Sequence, residues 1–465
     1  MTSPALAPRL DAVRSASRLP APLIEKLARH LEEATDDGLF RMNPIEWAAQ
    51  NGTPETTAVD LFLHATHTGI LDFAWGVLCP GCAGFRTANA GLRALSEKME
   101  CPMCRLPNGG SVGDDIEVAF TVNPAIRHIR FHDPDTLDYS KDGPSMFASH
   151  FAGRGPAIAD LLKSFTVAAG RLRADETLEI EIEIPEGKWF LVVPELHAGT
   201  AFETSPSGVA SPVFEILEHA VIAPSPRPGK TRIKLRNRVA SGVGWMIFPD
   251  PHSSGASNMQ RPADRPFLTG RQLIASQTFR DLFRAESLPS EIGLEVKSLS
   301  MLFTDLKSST QMYERIGDLR AFELVRQHFD VLRTIVAENG GAMVKTIGDA
   351  VMATFHEPSR AIAAAVDMHD RVGQVGAGEL LLKIGVHDGA CIAVQLNERL
   401  DYFGQTVNIA ARVQNLAEAG EIVVTETVFQ AHGVEAIVAK AKLSPTRSRE
   451  ALKGIDAPVP VVRLR

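Results

Sequence analysis

Phe303-Thr304-Asp305-Leu306-Lys307-Ser308-Ser309-Thr310 and Lys345-Thr346-Ile347-Gly348-Asp349 are the two stretches on which the reading of this chain turns. Each places an Asp at the tip of a strand-like segment. The apolar run Leu299 to Phe303 precedes the first. A helical pattern follows it, with Phe322, Val325, Phe329, Leu332 and Val336 spaced 3, 4, 3 and 4, the period of one helix face. Around the second Asp, Met343 to Ile347 and Ala350 to Phe355 read as two strands joined by a Gly-Asp turn, a hairpin signal. A strand-end Asp is ordinarily a cap or a turn former. Two of them on neighbouring strand ends suit a pair of Mg²⁺ or Mn²⁺ ions bridging one triphosphate.

The downstream residues add to that chemistry. Lys383 to Val386 is a short apolar strand leading into His387-Asp388-Gly389, followed by Asp401-Tyr402-Phe403-Gly404 and Thr406-Val407-Asn408-Ile409-Ala410-Ala411-Arg412. With Val407 to Ala417 helical, Asn408 and Arg412 stand at i and i+4 on one face. Such a pair is commonly a solvated helix face. Beside two phosphate-facing carboxylates, an Arg that neutralises charge on phosphate oxygens and an Asn that orients a sugar fit phosphoryl transfer.

In this order and spacing, the strand Asp, the Lys-x-x-Gly-Asp hairpin and the Asp-Tyr-x-Gly-x-Thr-Val-Asn-x-Ala-x-Arg segment resemble the class III nucleotide cyclases. The resemblance covers residues 296–465. It implies a ferredoxin-like βαββαβ sheet with helices on one face, pairing head to tail as a homodimer with active sites shared between subunits. It also implies roles. Asp305 and Asp349 match the two metal-binding aspartates, with the Leu306 carbonyl a further ligand. Lys345 and Asp401 match the pair that reads the purine, Asn408 the ribose-orienting Asn, Arg412 the transition-state Arg, and Lys453 a triphosphate-contacting Lys. A Lys donor towards adenine N1 and an Asp acceptor for the 6-amino group favour ATP, since guanine presents the opposite polarity. Ser308, Val394, Asn397 and Gln405 depart from the family's usual residues, and none of them removes a chemical group.

The remaining sequence sets bounds. Its 465 residues, 45% hydrophobic with net charge −8, imply several globular domains and no basic surface for nucleic acid. No run of 18 apolar residues indicates a membrane span, and Met1-Thr2-Ser3-Pro4-Ala5-Leu6 lacks the build of a secretory signal, so a cytoplasmic protein is expected. Cys79-Pro80-Gly81-Cys82 and Cys101-Pro102-Met103-Cys104 flank 18 residues, which fits a zinc ribbon with one structural Zn²⁺ held by four thiolates. A redox dithiol pair and an iron–sulfur site are the alternatives. Cys391 reads as a buried small apolar residue.

Residues 1–75 read as a winged-helix-like segment. Asn43 to Ala49 and Thr53 to His64 have the cadence of a helix-turn-helix, and Gly69 to Phe73 that of a wing strand. DNA binding is disfavoured, because residues 1–110 carry 10 Lys+Arg against 12 Asp+Glu. Residues 76–110 follow as the ribbon and 111–248 as an antiparallel β-sandwich. In the sandwich, the alternating Leu178 to Ile184, with acidic residues outward, can pair with the basic alternation Ile233 to Arg236. Residues 249–295 read as a linker and a connecting helix, opened by a capping box at Thr269-Gly270-Arg271-Gln272 and running to Phe283. The expectation is a homodimeric adenylyl cyclase with an unknown regulatory ligand or protein at its N-terminal modules. The alternatives are a guanylyl cyclase and a non-catalytic cyclase-like regulator or DNA-binding factor.

Overall fold

The computed structural model describes residues 4–79, 85–89, 111–112, 116–147, 158–218, 220–250, 266–283, 294–307, 309–373, 380–396 and 399–465. The chain divides into two compact units, Met1–Gly110 with Asp115–Leu268, and Ser111–Asp114 with Thr269–Arg465.

In the first unit, helices Leu6–Ala16, Ala21–Glu33, Asp36–Leu39, Pro44–Asn51 and Glu55–His67 precede a strand, Leu71–Leu78. Pro44–Asn51 has clear local causes. Asn43 accepts a hydrogen bond from the Ile45 amide at 3.0 Å, Pro44 opens the first turn, and Gly52 closes the helix at φ 62°. Leu71–Leu78 is not an exposed wing. It is the middle strand of an antiparallel sheet between Phe85–Asn89 and Ile116–Val122, with Phe73 opposite Phe120 and Trp75 opposite Val118. Ile116–Val122, expected in the sandwich, belongs to this sheet instead, because its buried residues complete the cover over the helices.

The sandwich runs from Ala168 to Pro249 as two four-stranded sheets. Ile184, Phe214, Ile216, Ile233 and Leu235 from one sheet share a core with Leu172, Leu191, Val193, Trp245 and Ile247 from the other. The acidic and basic alternations pair as the sequence suggests, with Lys234 opposite Glu179 and Arg232 opposite Glu181. These ion pairs are exposed and contribute at most about 1 kcal/mol each. The sandwich is not wholly antiparallel, since Lys234–Asn237 runs parallel to Val213–Ile216. Cys79 lies buried just after Leu78, whereas Cys82, Cys101 and Cys104 of the expected zinc ribbon lie outside the described residues.

The second unit opens with two short helices, α1 (Gly270–Ile274) and α2 (Gln277–Leu282). The capping box at Thr269 and Gln272 forms, but the single helix expected to Phe283 is broken at Ala275–Ser276, where Ser276 caps a second helix by accepting from the Phe279 amide. Then follow β1 (Leu294–Leu306), α3 (Ser309–Ile316), α4 (Asp318–Glu338), β2 (Gly341–Ile347), β3 (Ala350–Phe355), α5 (Pro358–Val372), β4 (Leu382–Leu396), β5 (Arg399–Phe403) and α6 (Gln405–Asn415). The unit ends with β6 (Glu421–Thr425), α7 (Glu426–Phe429), α8 (Val434–Lys440), β7 (Pro445–Glu450) and β8 (Val459–Leu464). The strands order as β2-β3-β1-β4-β6-β8-β7, with β5 added to β4 and Ser111–Val112 beside Glu295–Val296. The first four strands with α4 and α5 are the expected βαββαβ arrangement.

Helices occupy both faces of this sheet, not one. Leu332 and Ile335 of α4, Ile362 and Met368 of α5, and Ile422 and Val424 of β6 share one core. Val423, between those two β6 residues, points the other way and packs with Val413 and Ala417, under α6. Strand side chains alternate between faces, so one apolar strand serves both layers. Along α4 the buried positions are Ala321, Val325, His328, Leu332, Ile335 and Val336. Phe322, expected in the core, is 61% exposed. The face is turned by about one residue, with the small Ala321 buried in the core in place of the larger Phe322.

Candidate active site

Asp305 is the penultimate residue of β1, and Asp349 sits in the two-residue turn between β2 and β3. Gly348 supplies that turn's left-handed residue at φ 64°, and Ile347 and Ala350 close the hairpin. β3 pairs with β1 up to Thr304 opposite Val351, and Thr304 Oγ1 accepts from the Val351 amide at 3.2 Å. The two carboxylates are therefore carried to one end of neighbouring strands. Burial, and then the negative charge of Asp349, raise the Asp305 pKa above its ordinary value. Lys383, opposite Asp305 on β4 with its Nζ at 3.6 Å, pulls against both. Asp349 Oδ2 is buried and has no hydrogen-bond partner. A like-charged pair with an orphaned buried carboxylate oxygen fits a bound divalent cation. Among the described residues no cluster of three or more His, Cys, Asp or Glu side chains forms. This chain therefore offers two carboxylates at this point, together with Leu306, the last residue of β1.

A second group joins residues 56 positions apart. Lys345 Nζ on β2 donates to Asp401 Oδ2 on β5 at 2.7 Å, and Asp401 Oδ1 accepts from the Tyr402 amide at 2.8 Å. The carboxylate is nearly buried and the ammonium partly open. A donor and an acceptor thus stand side by side, paired with one another.

The third group stands on α6. Asn408 is exposed and Arg412 half-buried, while Ala410, Val413 and Gln414 face the sheet. Two glycines on β4 let the helix approach. A methyl group at Gly385 would lie 2.2 Å from the Gln414 amide nitrogen, and one at Gly389 would lie 2.7 Å from Thr406 Oγ1. Thr406 Oγ1 donates to the Ala390 carbonyl at 2.5 Å, which fixes the start of the helix. Leu452 is buried beneath α6, and Gly454, at φ 72°, lies against the Arg412 guanidinium, with its Cβ position 3.5 Å from Nη2. Lys453 is exposed between them. Cys391 is buried, which pushes its thiol up to about 12 and makes it a poor nucleophile.

Lys345 and Asp401 are thus in contact, Asp305 lies within electrostatic reach of Asp349, and Asn408 and Arg412 share α6. In the sequence Lys383 only opens an apolar strand, and its place opposite Asp305 follows from a register that no local pattern encodes. Asp388, in the turn-like His387-Asp388-Gly389, accepts from Ser298 and Ser300 hydroxyls at 2.6 and 2.7 Å, so it is structural.

A family described as "Family of unknown function (DUF5939)" matches residues 6–281, and the family "Adenylate and Guanylate cyclase catalytic domain" matches residues 294–449. The chain is 34% identical over 157 residues to an uncharacterized protein of Mycobacterium tuberculosis, covering 34% of this chain and 38% of that one. It is 28% identical over 167 residues to an adenylate cyclase of Mycosarcoma maydis, covering 31% of this chain and 7% of that protein. The chain thus spans well under half the length of these relatives. Among solved structures, an adenylyl cyclase from P. aeruginosa is similar at 21% identity and TM-score 0.32, covering 37% of this chain and 96% of that one. The guanylate cyclase domain of a Catenaria anguillulae protein in complex with GTP is similar at 22% identity and TM-score 0.32, covering 37% and 97%.

Proposed function

We propose an adenylyl cyclase activity for this chain, which belongs to the family of unknown function DUF5939 and carries a class III nucleotide-cyclase catalytic domain. The substrate would be ATP and the products 3′,5′-cyclic AMP and pyrophosphate. The ribose 3′-oxygen bonds to the α-phosphorus, the bond from that phosphorus to the bridging oxygen breaks, and the hydroxyl proton is released. The Lys345–Asp401 contact carries the choice of base. Lys345 would donate to adenine N1, and Asp401 would accept from the 6-amino group. Both matched cyclase types fall under one family description, so the base rests on this pair alone.

Asp305 and Asp349, with the Leu306 carbonyl, would hold two Mg²⁺ or Mn²⁺ ions, which supply Lewis acidity at the phosphates and at the attacking hydroxyl. Asn408 would orient the ribose, Arg412 would neutralise charge on the α-phosphate in the transition state, and Lys453 would contact the triphosphate. We place two copies of the chain head to tail, so that each site draws its carboxylates from one subunit and Asn408 and Arg412 from the other. Leu319, Phe322, Ile347, Ile392 and Phe403 are exposed apolar side chains on this unit and support a covering partner. We also retain one structural Zn²⁺ on Cys79, Cys82, Cys101 and Cys104, and a cytoplasmic location. Among the described residues no helix is long and apolar enough to cross a membrane.

Purified protein incubated with Mn²⁺ and either ATP or GTP tests the reading through the identity of the cyclic product. Cyclic AMP, formed with the higher kcat/KM, is the expected result. Preference for GTP would install the guanylyl alternative, and no product from either nucleotide the non-catalytic one.

A further inference from the structure

Lys345 and Asp401 meet across two strands that are not neighbours in the sheet, so something outside those strands must hold their spacing. The helices α1 and α2 do so. Arg280 on α2 places one guanidinium nitrogen, Nη2, 2.5 Å from the Leu400 carbonyl and 3.4 Å from the Val344 carbonyl. Leu400 is the residue before Asp401, and Val344 the residue before Lys345. Val344 is also the extra residue of a β-bulge, the irregularity in the β2–β3 register between Met343 and Lys345. Bulges re-aim the side chain that follows them, and here that side chain is Lys345.

Further bonds fix the same helices to the same strands. Gln277 Oε1 accepts from the Met343 amide at 2.7 Å, on the open edge of β2. Gln277 Nε2 donates to Asp281 at 3.0 Å, and Asp281 is in turn ion-paired with Arg333 of α4. The Tyr402 hydroxyl, next to Asp401, donates to the Ile274 carbonyl at 3.1 Å, and the Arg280 guanidinium lies 5.9 Å from the Tyr402 ring centroid. The Met343 amide on the edge strand β2, the Val344 and Leu400 carbonyls and the Tyr402 hydroxyl are therefore all bonded to α1 and α2.

We infer that Arg280, seconded by Gln277, is a positioning residue for base recognition, clamping the backbones that carry Lys345 and Asp401 at the separation that admits one purine edge. This rests on the assignment of those two residues as the base-reading pair. It gives the last residues of the stretch matched by the family of unknown function, which ends at residue 281, a duty inside the cyclase unit. Both bonds come from the single nitrogen Nη2, and arginine suits the task because its rigid planar guanidinium fixes the direction of that nitrogen's two N–H groups, which a rotating lysine ammonium on a flexible stem does not.

The test measures kcat and KM for ATP and GTP, with Mn²⁺ and the full chain, in wild type, Arg280→Ala, Arg280→Lys, Lys345→Ala and the Arg280→Ala/Lys345→Ala double variant. Arg280→Ala is expected to lower the ATP-to-GTP ratio of kcat/KM about tenfold, mostly through KM for ATP, with Arg280→Lys intermediate. The double variant should discriminate no worse than Lys345→Ala alone, because both changes act on one contact. An equal fall in kcat for both nucleotides, or additive effects in the double variant, would overturn the clamp. So would an unchanged ratio in Arg280→Ala beside a shifted one in Lys345→Ala, with the base reading left standing. An unchanged ratio in Lys345→Ala itself would defeat the base reading, and the clamp with it. If Arg280→Ala does not fold, Gln277→Ala, which removes the bonds to the Met343 amide and to Asp281, should shift the ratio about threefold in the same direction, and no shift there overturns the inference.

Discussion

Gly385→Ala isolates the seating of α6 from every group that touches substrate. The added methyl would lie 2.2 Å from the Gln414 amide nitrogen and 2.3 Å from its Cα, and both are backbone atoms that no rotamer change can move. Restoring an ordinary contact of 3.4 Å requires α6 or β4 to give way by about 1.2 Å. Overpacking of this kind costs about 1–3 kcal/mol. For a unit of this size, 2 kcal/mol lowers Tm by roughly 4–8 °C. Asn408 and Arg412 ride on the displaced helix, and a shift of about 1 Å in positioning groups costs on the order of 100-fold in rate. Differential scanning calorimetry reads the first effect and cyclic-nucleotide formation the second. Gly420→Ala serves as the comparison. Its Cβ would meet nothing within 4 Å, and only the backbone strain of φ 77° applies, about 1 kcal/mol. If Gly385→Ala melts no lower than Gly420→Ala and turns over normally, α6 does not rest on β4 as described.

Asp305→Asn should abolish cyclisation yet raise the metal-free Tm at pH 7. Its carboxyl has a raised folded pKa, so it binds its proton more tightly folded than unfolded. It therefore costs stability progressively as pH rises from the unfolded value, about 4, through the folded one, and the gain from Asn should vanish below pH 4. A variant no more stable than wild type at pH 7 contradicts the crowding of Asp305 by Asp349. Asp305→Ala and Arg412→Ala proteins, each inactive alone, should regain activity when mixed, with at most one working site per heterodimer. Verified heterodimers without activity would rule out shared sites. Metal analysis should find about one Zn²⁺ per chain in wild type and none in Cys101→Ser/Cys104→Ser. A wild-type chain free of zinc after metal-replete expression would refute the ribbon.

What the sequence determined by itself is local. Two residues at a hairpin tip, a capping box at Thr269, the Pro44 to Gly52 helix limits and the alternating strands 178–184 and 233–236 are each set by neighbours in the chain, where backbone preference and side-chain period act. The opposite charges on those two strands even carried their pairing. The class of the catalytic domain was legible because its chemistry needs particular residues at turn and strand ends, and such ends are punctuated in sequence.

Tertiary structure decided everything that depends on which surfaces meet. The 3.6-residue period allowed either Phe322 or Ala321 inside, and the packing of α4 buries Ala321 and leaves Phe322 exposed. Val423 reads like its apolar neighbours, yet its alternation sends it to a second layer, where α6 sits on Gly385 and Gly389. The Lys345–Asp401 contact, the place of Lys383 opposite Asp305, and the hold of Arg280 on Val344 and Leu400 join positions 56 to 120 apart. For Lys383 the partner is a register neighbour and for Arg280 two backbone carbonyls, groups that no residue type announces in advance, while Lys345 and Asp401 are paired in the sequence only through the family resemblance and not by any local pattern. Sequence names the groups able to do the chemistry, and the packing of non-local strands and helices fixes the distances at which they can do it.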